Sequence, residues 1–488
     1  MKNYLLYIII ILTIIFSCQK ENISNNASIS LTFSTDTITF DTVFASIGSI
    51  TKTLTVYNQN TFNVFTTIDL RGSSASHFRI NVDGISVNNH TNVEIPAQDS
   101  IFIFIEVTIN PTMNNTPYIL TDSLVFTTGE KKQSINLVAW GQDAHFHTAN
   151  TYGDIINGSD TTRFFYHLLD CSTPWTNDKP HIIYGYAIID PGETLIINEG
   201  CKIYLHKNSG FIVGNPFTKT SGGTIKVYGS LDNEVSFQGD RLDPWYNEIP
   251  GQWDKIWIMP GSINNEINYA IIRNGNIGIH ADTVFNSNPT IEINNTIIEN
   301  MSGIGILGQG ANINAMNTLI RKCGQYSVAC NIGGTYNFTH CTFANYWDYS
   351  NRNTPSILLN NFYEGIDGNI YARNLDANFV NCIIDGSLST EVSFQEQELG
   401  LFNYKFDHCI IKLDPNQDTN NENYVNTIIN QEIKFKDPYG NDFHLTETSP
   451  AINTGRIGIF NNTLLENDLE GNTRDILSPD LGAYEYQN

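Results

Sequence analysis

Asn265-Glu-Ile-Asn-Tyr-Ala-Ile-Ile-Arg-Asn274 aligns without gaps on Ile291-Glu-Ile-Asn-Asn-Thr-Ile-Ile-Glu-Asn300, and both align on Ile313-Asn-Ala-Met-Asn-Thr-Leu-Ile-Arg-Lys322. Tyr336-Asn-Phe-Thr-His-Cys-Thr-Phe-Ala-Asn345 continues the series, with looser copies at Phe379-Val-Asn-Cys382-Ile-Ile-Asp385 and Phe406-Asp-His-Cys409-Ile-Ile-Lys412. Along the column Ala270, Thr296, Thr318, Cys341, Cys382 and Cys409, the copies lie 26, 22, 23, 41 and 27 residues apart. A unit this short cannot bury its own apolar face and must stack on its neighbours, which is the condition for a solenoid. Each copy is β-branched and alternating, so it reads as a strand, a bend and a second strand. The fixed Leu spacing and helix of a leucine-rich horseshoe are missing. The expected fold is therefore all-β, with a right-handed parallel β-helix at its centre. Asn274, Asn300 and Asn345, after each second strand, are the residues expected at a coil corner, because Asn tolerates the left-handed conformation and bonds along a stack.

With 488 residues the chain has room for two or three domains. Its 26 Lys and Arg against 50 Asp and Glu leave a net charge of −24. That charge argues against nucleic acid and anionic membrane surfaces as partners. A polyanion would need a bridging cation such as Ca2+. Only 16% of residues are charged, a strand-and-turn profile rather than a helical one.

Residues 1–17 carry one basic residue and then an apolar run of about 11, too short for a bilayer span and of the length of a secretory signal. Its end, Ile15-Phe-Ser17-Cys18, resembles a bacterial lipoprotein signal, which implies that Cys18 is acylated and starts the mature protein. Gln19-Lys-Glu-Asn22 is similar to the tag of lipoproteins carried to the cell surface in Bacteroidota. Residues 18–27 form the expected lipidated tether. The localisation that follows is export to the outer membrane, at the cell surface.

From 28 to 142, alternating runs such as Leu31-Thr-Phe33, Leu54-Thr-Val56, Ile101-Phe-Ile103-Phe-Ile105 and Leu124-Val-Phe126 predict an Ig-like β-sandwich. Val93-Glu-Ile95-Pro96 before the long strand and Gly141 at the end resemble the Ig-like modules of bacterial surface proteins. Residues 143–177 read as a connection. His145-Phe-His147 within it has metal-ligand spacing but no recognisable third ligand, so it reads as a solvated linker and no metal is expected.

Short strands cut by Gly and Pro-Gly turns begin near 178. Pro191 to Gly200 resembles the entry coils of pectate-lyase-like bacterial β-helices. Ser449-Pro-Ala-Ile-Asn453-Thr-Gly455, Asp468-Leu-Glu-Gly471-Asn472-Thr-Arg474 and Pro479-Asp480-Leu-Gly482-Ala-Tyr-Glu485 match the terminal segment of that family. The resemblance covers 178–488 and implies a β-helix with a C-terminal cap. Lyases of the family hold Ca2+ on carboxylates and use an Arg or Lys as the base beside a uronic acid carboxyl group. None of their site motifs is recognisable here.

The outward column Arg273, Glu299, Arg321, Ala344, Asp385, Lys412 reads as a ladder of surface ion pairs. Departures from the period are more informative. Insertions around Asp240 to Trp253 and around Tyr346 to Arg373 concentrate aromatics beside Asp, Asn and Arg, as a sugar ring requires. The candidate ligand-binding residues are Trp245, Tyr246, Trp253, Trp347, Tyr349 and Arg373. Asp240 with Asp243, and Glu364 with Asp367, are the carboxylate pairs suited to acid/base work. The expected function is a lipid-anchored surface protein that binds glycan or mediates adhesion without a cofactor. The alternatives are a polysaccharide lyase or glycoside hydrolase on the same scaffold, with Ca2+ if a lyase, and a structural surface protein without a ligand.

Overall fold

The computed structural model describes residues 29–44, 48–110, 118–157, 160–217, 222–283, 288–365, 367–459 and 462–487. The leader, Cys18 and the tether lie outside the described residues. Two compact units meet between Asp143 and Ala144.

The N-terminal unit is two packed sheets. One orders Thr32–Phe33, Lys52–Tyr57, Ser100–Val107 and Phe78–Val82; the other orders Thr37–Phe44, Lys131–Gln142, Tyr118–Thr128, Val64–Leu70 and Asn89–Ile95. Strand alternation sends Phe40, Leu54, Phe78, Ile103, Phe126 and Leu137 into one shared core. Sequence reading missed Val64–Leu70 because Thr66 stands at an inward position. There its hydroxyl accepts from Thr128 Oγ1 at 3.0 Å, so two buried polar groups satisfy each other.

The second unit is a parallel β-helix of three long sheets. Sheet 1 runs through His145–Thr148, His181–Tyr184, Lys202–Leu205, Val235–Gly239, Ala270–Arg273, Ile297–Met301, Leu319–Cys323, Thr342–Asn345, Ile383–Gly386, Ile410–Ile411 and Ile428–Ile429. Sheet 2 includes Tyr186–Ile189, Gly210–Val213, Ile256–Ile258, Ile277–Ala281, Ile304–Gln309, Val328–Asn331 and Ile357–Asn360. Sheet 3 includes Thr194–Asn198, Thr224–Tyr228, Asn265–Asn268, Ile291–Asn294, Asn312–Met316, Gly334–Thr339, Leu375–Val380 and Phe402–Asp407. The inward residues form one continuous apolar core. Phe338, Phe379 and Phe406 stack within it at 5.0 and 4.9 Å.

The register reproduces the repeat read from the sequence: Ile271 pairs with Ile297, Leu319 with Thr342, Thr342 with Ile383, and Ile383 with Ile410. The marker column is therefore a true stack, and Cys201 joins it one step below Val235. Cys341, Cys382 and Cys409 are buried free thiols. They do more than fill space. Cys382 Sγ and Cys409 Sγ each donate to a carbonyl at 3.4 Å, as Thr318 Oγ1 does, which explains why both Thr and Cys occupy this position.

Asn274 and Asn300 do turn a corner at positive φ, and Asn300 Nδ2 donates to Asn274 Oδ1 at 2.7 Å. Asn345 does not adopt that conformation. Its side-chain oxygen instead accepts from the Cys323 amide at 2.9 Å. A second left-handed corner precedes the marker column at Tyr269, Asn295, Asn317, His340, Asn381, His408 and Asn426.

The stretch 143–177 is not a connection. His145–Thr148 pairs in parallel with His181–Tyr184, and Asp160–Leu168 pairs with Tyr186–Ile189, so the solenoid starts at Ala144. His147 is not solvated. Its ring stacks on Trp175 at 4.4 Å, and its Nε2 meets His181 Nδ1 at 3.1 Å. Burial, the larger cause, and the neighbouring imidazoles His181, His167 and His145 push His147 down to about 3; burial pushes His181 down to about 4. A histidine depressed in the folded state lets the unfolded chain bind more protons, so its stabilisation is present above the unfolded pKa and lost as pH falls. Through these two histidines the β-helix should therefore lose stability progressively as pH falls from about 6.5 towards 4. His181→Asn should flatten that slope. A melting temperature independent of pH across this window in the parent protein would refute the assignment.

The C-terminal segment folds back over the outer face of sheet 1. Phe443, Leu469, Ala483 and Tyr484 cover Leu319 and Ala344, while Ile433, Leu445, Ala451 and Leu481 cover Ile383 and Ile410. The expected ion pairs form, as Arg273 with Glu299, Glu299 with Arg321, and Asp385 with Lys412 at 2.6 Å, but not as a surface ladder, because Glu299, Arg321 and Asp385 are largely buried and Arg321 also bonds the covering segment at Asn441 O.

Candidate functional site

Each coil passes from sheet 1 to sheet 2 at one corner, and that corner is short in most coils because the left-handed residue turns the chain at once. Two coils depart from this. Residues 240–255 separate Val235–Gly239 from Ile256–Ile258, and residues 346–356 separate Thr342–Asn345 from Ile357–Asn360. Both insertions thus leave the same edge of the solenoid. They are four strand spacings apart along sheet 1, about 19 Å at the usual separation.

The first insertion is pinned at both ends by tyrosines of a lower coil. Tyr184 Oη donates to Asp240 Oδ2 at 3.1 Å, and Tyr186 Oη donates to Asp254 Oδ2 at 2.7 Å. His206 Nδ1 also meets Asp240 Oδ2, at 2.7 Å, and that hydrogen bond raises the imidazole above its ordinary value. Between these anchors the 3-10 turn Pro244–Tyr246 lifts Trp245 into solvent, where it is 76% exposed. Tyr246 lies under the Arg241 guanidinium at 3.7 Å.

The second insertion is held by Arg352, whose guanidinium meets Glu391 at 2.6 Å in the interior. Lys322 reaches Asp348 at 3.2 Å. Tyr349, 58% exposed, stands at the tip.

Between the insertions the corners carry the exposed side chains of Asn276, Ser302 and Gln325. The ladder runs through them, since Ser302 N donates to Gly275 O at 2.9 Å and Gln325 N to Gly303 O at 2.8 Å. Ser302 Oγ bonds Asn276 Oδ1 at 2.9 Å. Asn276 Nδ2 also donates to Asp254 Oδ1 at 3.5 Å, so the edge between the insertions presents a row of polar corner side chains, with an exposed aromatic on each insertion.

Trp245, Tyr246 and Tyr349 are thus brought to one edge. Two expected ligand contacts are packing residues instead. Trp253 is 1% exposed, belongs to the solenoid core and donates from Nε1 to Arg273 O at 2.8 Å. Trp347 is 7% exposed and donates to Ser350 Oγ at 3.0 Å. Inside a loop, a large ring gains more from burial than from water whenever the coil below offers a cavity. Here that space exists because Gly275 and Gly324 lack a Cβ; one at Gly275 would strike the Trp253 ring.

Glu364, Asp367 and Arg373 sit at a different corner, between sheets 2 and 3, on the hairpin Phe362–Glu364 with Ile370–Ala372 and just beyond it. Asp367 accepts from Tyr371 Oη and Asn369 Nδ2, both at 2.7 Å, and these bonds hold its carboxyl below the ordinary range. Arg373 Nη1 donates to Thr283 Oγ1 at 2.8 Å. Asp240 is committed to His206 and Tyr184, while Asp243 precedes the Pro244 turn. The two carboxylate pairs therefore belong to two separate corners. Among the described residues no group of three His, Cys, Asp or Glu is arranged to hold a metal ion.

Sequence reading missed Tyr184, Tyr186 and His206 as anchors and Asn276, Ser302 and Gln325 as floor. The available signal was positional: each floor residue follows the left-handed corner by two or three places.

No family model and no curated protein matches the sequence. Among solved structures, the catalytic domain of a GH87 alpha-1,3-glucanase in complex with tetrasaccharides is 10% identical, with 77% of this chain and 87% of that chain covered and a TM-score of 0.24. The catalytic unit of a thermostable GH87 alpha-1,3-glucanase from Streptomyces thermodiastaticus is 8% identical over 74% of this chain and 72% of that one, at a TM-score of 0.23. A family 123 glycoside hydrolase from Clostridium perfringens is 9% identical at a TM-score of 0.19; the match covers 25% of this chain and 30% of that one. At such scores these likenesses carry no argument about this chain's activity.

Proposed function

We propose that this protein is an exported, lipid-anchored glycan-binding protein whose β-helix holds a polysaccharide along the trough between its two insertions. The observation that carries the reading is that Trp245 and Tyr349 stand exposed on one edge, with the exposed neutral side chains of Asn276, Ser302 and Gln325 on the corners between them. Exposed aromatics give a sugar ring an apolar platform, and amides and hydroxyls serve its edges. A lyase or hydrolase is less well supported, because the candidate carboxylates are divided between two corners and Asp240 and Asp367 are engaged by their own neighbours. Cys18 supplies the anchor, the two-sheet N-terminal unit is an Ig-like spacer, and the coils wind right-handed.

Trp245→Ala and Tyr349→Ala should each weaken binding by about 1 to 4 kcal/mol while leaving stability within about 0.5 kcal/mol. A glycan array on residues 28–488 identifies the polymer, and titration of the variants measures the loss. Unchanged affinity in both variants would remove the trough from consideration. Anchoring is tested separately by Cys18→Ala, which should move the protein from the membrane to the soluble fraction. Stable attachment needs more than one acyl chain, so retention of the variant in the membrane would rule out this lipid anchor.

A further inference from the structure

The ligand class follows from the charges beside the trough, on the premise that the trough is where glycan binds. A polymer bearing a carboxylate or sulfate on its repeat must lose water as it settles on a platform, and that loss is costly unless a cation replaces the water. Of the cations of the two insertions and the corner between them, Lys255, Lys322 and Arg352 are paired with carboxylates, and Arg241 is stacked on a ring. Arg241 lies over Tyr246. Lys255 sits 3.8 Å from Asp254 and 4.7 Å over the Trp257 ring. Lys322 is largely buried against Asp348, and Arg352 is buried against Glu391. His206, at the corner one coil below the first insertion, is held by Asp240.

The anions are less confined. Asp348 keeps half of its side chain exposed, and Glu248 is exposed on the first insertion. Charges inside a Debye length of about 8 Å act on a bound chain at physiological salt, and these would repel an anionic polymer. The floor of Asn276, Ser302 and Gln325 carries no charge, yet offers both donors and acceptors.

We infer that the trough takes an uncharged polysaccharide and rejects uronate-containing and sulfated ones. This excludes the uronic acid chemistry of a lyase at this edge. Recognition then rests on ring stacking and neutral hydrogen bonds, both nearly independent of salt.

The test is affinity electrophoresis of residues 28–488 in gels containing β-glucan, xylan or mannan as uncharged polymers, and polygalacturonate, alginate or heparan sulfate as anionic ones. At least one uncharged polymer should retard the protein and no anionic one should. Affinity should change by less than about twofold between ~0.05 and ~0.5 M NaCl, a range over which charge-based binding collapses. Gln325→Lys, which plants a cation on the exposed floor, should weaken binding of the uncharged polymer by about tenfold or more. Retardation by an anionic polymer that fades with salt would overturn the inference and leave glycan binding standing. Silence in every gel would instead overturn glycan binding itself, and the inference with it. An uncharged polymer held equally well by Gln325→Lys would place recognition elsewhere and overturn the inference.

Discussion

Glu391→Ala should lower the stability of the β-helix by about 3 to 5 kcal/mol, the cost of leaving one member of a buried ion pair alone. The Arg352 and Glu391 side chains are 1% and 0% exposed and 2.6 Å apart. Glu391 also accepts from the Ser356 amide at 2.8 Å and the Leu388 amide at 2.9 Å. Arg352 donates to Asn345 O at 2.8 Å and Thr354 O at 2.6 Å. Removing the carboxylate strands a guanidinium and two backbone donors in a dry interior, where each unmet group costs about 1 to 3 kcal/mol or more. Because Arg352 closes the second insertion, Tyr349 should lose its position as well. Urea unfolding checks the energy, and the Arg352→Met, Glu391→Leu double variant should lose less than the two single losses combined. A cost below about 1 kcal/mol for Glu391→Ala would mean that water already reaches the pair.

The second large effect is expected from Arg474→Ala, again about 3 to 5 kcal/mol, through release of the C-terminal segment. Arg474 pairs with Glu485 at 3.2 Å and donates from Nη2 to Asn317 Oδ1 at 3.1 Å and Gly482 O at 3.0 Å. Asp468 accepts from the amides of Glu470, Asn472 and Glu485, and Asp480 from those of Asn453 and Tyr486. The residues that most resemble a family signature thus act as a clamp. They bind the segment to itself and, through Asn317, to the left-handed corner of the solenoid. Limited proteolysis should cut the variant within residues 430–487 while the coils persist, because a nearest-neighbour stack does not need its outer cover to stay folded. Equal protease resistance in variant and parent would assign the docking to the apolar contacts with Leu319, Ile383 and Ile410 alone.

Part of this structure is a local property of the chain. Strand alternation and coil period depend on residues close in sequence, and a gapless repeat admits one register, since a slip of one residue would turn every inward side chain out. Hence the column from Ala270 to Cys409 and the corner at Asn274 and Asn300 are legible in the sequence by itself, as is the boundary near residue 142. Other features depend on what meets what across many coils. His147 is half-buried because Trp175 and His181 arrive beside it, and Trp253 and Trp347 are buried because Gly275 and Gly324 leave room on neighbouring coils. Likewise the edge from which each insertion departs separates Trp245 and Tyr349 from Glu364 and Asp367. No local pattern carries that information, because the gain from burying a ring or docking a segment is set by the surface it meets, and that surface exists only once the coils have stacked.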